Sequence, residues 1–197
     1  MSFEVIAFDL DGTLIELNLP FDSIRRSLGI KNRFILETIM EEGDVRKREM
    51  MLKILEDFEI KAAKKARRRH YAKEIVDLLR ERGTVVGVIT RNSRRSVNIV
   101  ARNLKFQFDF VVTREDCPPK PSPEPVKLIL NEFRIPSKFF LMVGDFIFDL
   151  LSGKRAGVKT ALIRTEMNSR MLTSFIPYAD YVFGSLKELG EFLGVVK

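Results

Sequence analysis

Five stretches of this chain are apolar almost without a break, at residues 3–8, 84–90, 108–113, 139–143 and 159–164, and Tyr181–Phe183 adds a shorter sixth. Such runs, rich in Val, Ile and Phe, predict strands covered on both faces, as in a parallel sheet between two helical layers. Between them the apolar period becomes helical. Ser93 opens one such segment, which runs to about Asn103. Another follows the prolines at 121–125, with apolar residues at 126, 129, 130 and 133. Segments 150–156 and 185–193 stop at Gly157 and Gly194, glycine being the favoured residue just past a helix end. The alternation predicts an α/β protein with a doubly wound, mainly parallel sheet.

The rhythm breaks once. About seventy residues without a convincing strand separate the first apolar run from the second, which is too long for a plain loop in a compact domain. Their apolar spacing is helical: Phe34, Ile35, Thr38 and Ile39 share one face, and Met51, Leu52, Leu55 and Phe58 another. Ile75, Val76, Leu78 and Leu79 close the stretch before Gly83. The pattern predicts three or four helices in a subdomain at 17–82, inserted into an α/β unit made of 1–16 and 83–197. In the basic run 64–70, a solvated helix face is expected, with Ala62, Ala63 and Ala66 on the packed side.

Ligands of open α/β sheets bind at the carboxyl ends of the strands, and four of those ends carry suitable side chains. The first runs into Phe8-Asp9-Leu10-Asp11-Gly12-Thr13. Two carboxylates this close repel each other unless a cation lies between them, and oxygen donors favour a hard ion, Mg²⁺ before Ca²⁺. An EF-hand register fails, because its glycine would have to stand where Leu14 does. The second end is Thr90-Arg91-Asn92-Ser93, a hydroxyl and main-chain amides at a helix start, which together make an anion site. The third is Lys120, held between Pro118-Pro119 and Pro121, so that its ammonium has a fixed place. The fourth is Gly144-Asp145-Phe146-Ile147-Phe148-Asp149, which carries two more acids. No P-loop and no dinucleotide-binding glycine pattern occurs.

Acid, hydroxyl, lysine and acid, in that chain order at successive strand ends, resemble the haloacid dehalogenase superfamily of phosphohydrolases. The resemblance spans nearly the whole chain, and the helical insertion matches members similar to phosphoglycolate phosphatase. It implies that Asp9 attacks phosphorus to form an aspartyl phosphate and that Asp11 is the acid and base. It further implies that Gly12, Thr90, Arg91, Asn92 and Lys120 bind the phosphoryl group. Mg²⁺ would be held by Asp9, the main-chain carbonyl of Asp11, Asp145 and Asp149. The same superfamily contains phosphosugar mutases, which are the alternative enzyme reading. One departure stands out: Phe146 occupies a position where members commonly carry a small polar residue, so the site is expected to be drier or the cap to dock on this ring.

Charge and composition narrow the remainder. The net charge is +7, and residues 14–83 hold 17 basic against 13 acidic residues. Basic character alone admits nucleic acid, membrane surface or a phosphorylated small molecule. No nucleic-acid motif occurs, so a small phosphorylated metabolite is the expected partner, and a non-catalytic binding role for the basic cap stays as the other class. No membrane-length apolar run or secretory leader is seen, and the single cysteine, Cys117, suits a reducing compartment. A cytoplasmic monomer or homodimer is expected, with an inert Cys117 thiol and a solvated His70.

Overall fold

A computed structural model describes residues 3–31 and 34–197. After β1 (Val5–Phe8) the chain forms β2 (Ile15–Glu16), α1 (Phe21–Leu28), α2 (Ile35–Met40), α3 (Val45–Ala63), β3 (Arg67–Arg68) and α4 (Ala72–Glu81). Regular alternation follows: β4 (Val85–Ile89), α5 (Arg94–Leu104), β5 (Phe110–Val112), α6 (Glu124–Phe133), β6 (Phe140–Gly144) and α7 (Ile147–Ala156). The chain ends with β7 (Lys159–Ile163), α8 (Leu172–Phe175), β8 (Tyr181–Phe183) and α9 (Leu186–Phe192).

All six apolar runs enter one sheet, in the order β5-β4-β1-β6-β7-β8, and every pairing in it is parallel. Because successive side chains of a strand point to opposite faces, the central strands β4, β1 and β6 each feed two cores. Ile6 and Phe8 join Val86, Val88, Leu141 and Val143 beneath α4, α5 and α9. Val5 and Ala7 join Phe110, Phe140 and Met142 against Val126 and Ile129 of α6. The sheet is therefore doubly wound. The chain lays β4 and β5 on one side of β1 and β6 to β8 on the other, so the strand order reverses at β1, where such folds open a binding crevice.

The helix ends follow local chemistry. Asp44 caps α3 by accepting from the amides of Arg46 and Lys47 at 2.9 and 3.2 Å, and Ser185 caps α9 through the Glu188 amide. Gly157, at φ 76°, ends α7 as the sequence predicts.

Helices α1 to α3 form a separate cluster around Ile24, Ile35, Leu36, Ile39, Met51 and Leu55, the helical cap of the fold. Two expectations about this region need correction. Spacing groups α4 with the insertion, but Ile75, Val76 and Leu79 pack into the core of the sheet, so α4 is the crossover helix leading to β4. The basic run is also not a helix face. The helix stops at Ala63, and Arg67 and Arg68 pair antiparallel with Glu16 and Ile15 in a two-rung ribbon at the base of the cap. Ala63 is buried there, with Ala62 and Ala66 packed beside it, while Arg67, Arg68 and His70 are exposed. No helix among the described residues is long and apolar enough to cross a membrane.

Candidate active site

The three central strands β4, β1 and β6 deliver their carboxyl ends side by side. Phe8 pairs with Val88 and Val143, so Asp9, Thr90 and Asp145 emerge together. Lys120 arrives from the loop between β5 and α6 with its side chain almost wholly buried. Its Nζ lies 2.6 Å from Asp9 Oδ1 and 2.6 Å from Asp149 Oδ1. Asp149 reaches back one turn of α7 and accepts from the Phe146 amide at 3.0 Å. It thus makes the reciprocal half of a capping box, satisfying the main-chain donor of the residue at the helix start. Carboxylate oxygens of Asp9, Asp145 and Asp149 all lie within 4.8 Å of one another.

Burial and crowding show in the proton affinities. Asp9 is pushed up to about 7 by burial and by Asp149 and Asp11, against the pull of Lys120. Asp145 is pushed up to about 8 by burial, then by Asp9, Asp149 and Asp11, with only the Thr13 hydroxyl opposing. Burial also tends to discharge Lys120, but the two carboxylates outweigh it and hold the ammonium charged. Three buried acids thus share one cation.

Glycines hold the acids in place. Gly12 has φ +87°, and a Cβ there would collide with the Asp145 carboxylate, while one on Gly144 would collide with Asp149. Fixed hard-oxygen donors that lack positive charge fit a hard divalent ion, with Asp9, Asp145 and Asp149 as the residues to hold it.

Asp11 stands apart from that trio. Its Oδ1 accepts from the Leu17 amide at 2.9 Å, where the chain enters the cap. Burial raises its carboxyl to about 6, against hydrogen bonds from the Leu17 and Gly12 amides. A carboxyl raised to about 6 thus stands where the chain enters the cap.

The anion site at the start of α5 differs from the expectation. Glu59, from the cap helix α3, accepts from the Ser93 amide at 3.0 Å and pairs with the buried Arg114. Ser93 caps the Ser96 amide, and the Asn92 amide donates to Thr90 Oγ1 at 3.2 Å. The helix terminus is therefore filled from within, and the Thr90 hydroxyl keeps its own hydrogen to donate. Arg91 turns its guanidinium to Glu37 of α2 at 2.8 Å and lies 4.5 Å from the centroid of the Phe148 ring.

Other side chains support these residues, Thr13 and Phe146 from within the motifs themselves and Asn168 from outside them. Thr13 donates to Asp145 Oδ1 at 3.2 Å. Asn168, buried, donates to the carbonyls of Asp145 and Ile163 at 2.7 and 2.9 Å and steadies the loop after β6. Phe146 and Phe148 meet Phe34 of the cap edge-on, with centroids 6.4 and 5.2 Å away, so the unusual aromatic pair is where the cap docks. Cys117 shows no activating partner, its thiol being pushed up by burial and by the Asp116 and Glu124 carboxylates.

Residues 16–163 match the model of the haloacid dehalogenase-like hydrolase family. The chain belongs to that family. Among its relatives, an uncharacterized hydrolase of Saccharomyces cerevisiae is 27% identical over 98% of this chain and 91% of its own length. Pyrophosphatase PpaX of Anoxybacillus flavithermus is 30% identical, with 99% of each chain aligned. A predicted phosphoglycolate phosphatase from Haemophilus somnus superimposes with a TM-score of 0.73 at 18% identity, over 98% of both chains. The overall fold is thereby shared by this chain and that solved structure.

Proposed function

We propose that this hydrolase is a Mg²⁺-dependent phosphatase that cleaves a small phosphorylated metabolite through an aspartyl phosphate on Asp9. One observation carries the reading: Asp9, at the end of the central strand, lies 2.6 Å from a buried lysine and beside two further buried acids. In the first step an Asp9 oxygen bonds to phosphorus while the bond to the leaving-group oxygen breaks, and Asp11 gives that oxygen its proton. In the second step water attacks phosphorus and gives a proton to Asp11, and the bond between phosphorus and Asp9 breaks. Lys120 pulls Asp9 toward its ionised form against burial and faces the transferred group, and the Thr90 hydroxyl with the Arg91 amide binds the phosphoryl oxygens. Mg²⁺ held by Asp9, Asp145 and Asp149, with the Asp11 carbonyl, would offset phosphoryl charge. The cap is read as Leu17 to about Ala66, with the β2–β3 ribbon as its hinge.

Purified protein should release phosphate from an aryl phosphate when Mg²⁺ is present. Asp9→Asn should remove turnover entirely, and Asp11→Asn should slow it by about 10²- to 10⁴-fold. A wild-type protein with no turnover on aryl phosphate, pyrophosphate or 2-phosphoglycolate would falsify the enzyme reading and leave a binding role.

A further inference from the structure

Arginine presents five N–H donors in a planar fork, and a carboxylate normally engages two of its nitrogens in parallel. Arg91 departs from that arrangement. Both oxygens of Glu37 approach the same nitrogen, Nη2, at 2.8 and 2.9 Å. Nη1 is buried and has no hydrogen-bond partner. A buried donor on a charged group left without an acceptor is destabilising, so the arrangement is held from outside. Phe148 beneath the guanidinium and Phe34 against Phe148 supply that support.

The location gives the open donor its meaning. Arg91 directly follows Thr90, and Phe148 lies between Asp145 and Asp149, so the guanidinium lies between the candidate active site and the cap. The other cations nearby are fully engaged: Lys120 with Asp9 and Asp149, and Arg114 with Glu59 and the Arg91 carbonyl. Glu37 belongs to the cap, as does Phe34, and its carboxylate is about one-third exposed.

We propose that Arg91 determines specificity by binding a second anionic group, carboxylate or phosphoryl, on the leaving-group side of the substrate. Glu37 is its internal stand-in. The incoming oxyanion takes Nη1, competes for Nη2 and expels Glu37, so substrate entry and cap contact are mutually dependent. This rests on the phosphatase reading and narrows it to doubly anionic substrates.

The test compares an aryl phosphate, whose leaving group carries no second anion, with 2-phosphoglycolate and pyrophosphate. In Arg91→Met, the ratio of kcat/KM for the doubly anionic substrates to that for the aryl phosphate should fall about tenfold or more, mainly through KM. Arg91→Lys should recover part of that ratio, and Glu37→Gln should lower KM for the doubly anionic substrates. Whichever of the two responds more strongly identifies carboxylate or phosphoryl as the group read. An equal loss on all three substrates would reduce Arg91 to a support of the Thr90 loop, and a raised KM on all three in Glu37→Gln would reduce the pair to a latch; either result overturns the proposal. Calorimetric binding of pyrophosphate and 2-phosphoglycolate to Asp9→Asn, with and without Arg91→Met, separates this inference from the phosphatase reading. Affinity that drops with Arg91→Met supports recognition even in a protein without turnover, and affinity that does not change overturns it.

Discussion

At the residue scale, the acids at the strand ends tie stability to pH. Asp9 and Asp145 are raised to about 7 and about 8 from an ordinary 3.8. The folded chain thus holds protons that the unfolded chain releases, and their contribution to stability is complete below about pH 4 and lost as pH rises through about 7 and 8. The metal-free protein should accordingly show a thermal midpoint that declines between about pH 5 and about pH 8, and saturating Mg²⁺ should flatten the decline by replacing the protons. Asp145→Asn should raise the metal-free midpoint at the alkaline end and remove the response to Mg²⁺. Identical slopes with and without the ion in the wild type would show that these carboxylates do not hold it. The same residues were the legible ones, because Asp9, Asp11, Thr90, Lys120, Asp145 and Asp149 follow strand ends in a recognisable order. Asn168 was not legible, and neither was the partner of Thr13, although Thr13 itself lies in the first motif. Their bonds to Asp145 span 132 and 23 positions, and no local spacing encodes a contact of that range.

At the element scale, α3 is tied to the start of α5 by a buried acid. Glu59 and Arg114 keep only 3% and 5% of their side chains exposed, so removing one partner leaves the other charged and desolvated. Glu59→Ala should cost about 3–5 kcal/mol in urea unfolding, whereas Glu59→Leu combined with Arg114→Met should recover most of that loss. A single-mutant cost below about 1 kcal/mol would mean that water reaches the pair. The elements themselves were largely readable, since each of the six strands of the main sheet overlaps an apolar run to within one residue. The allegiance of α4 was hidden, because the spacing of Ile75, Val76 and Leu79 says that a face is covered but not by what. The β2–β3 ribbon was hidden too, since two residues per strand cannot display a period.

At the scale of the whole molecule, the sheet has two large cores and a small third one around Leu150, Leu162 and Phe175, and the cap has one of its own. The cap meets the sheet unit by packing of α3 along α5 and through a set of specific contacts: the ribbon, the Glu59 pair, Arg91 with Glu37, and Phe34 on the Phe146 and Phe148 rings. Amides of α1 and α2 should therefore exchange with deuterium through smaller openings than those of β1, β4 and β6, and phosphate with Mg²⁺ should slow them. Equal protection across cap and sheet would mean that the two open as one unit. The seating of Asp145 on the bare face of Gly12 reaches further than the site. It makes two distant positions epistatic: Gly12→Ala should destabilise the chain, and Asp145→Ala should relieve the collision but not the strain at φ +87°. The double variant should be more stable than the sum of the single effects predicts, yet remain inactive. A lineage that lost the glycine would thus be drawn to lose the acid as well, and could not return to catalysis by a single substitution.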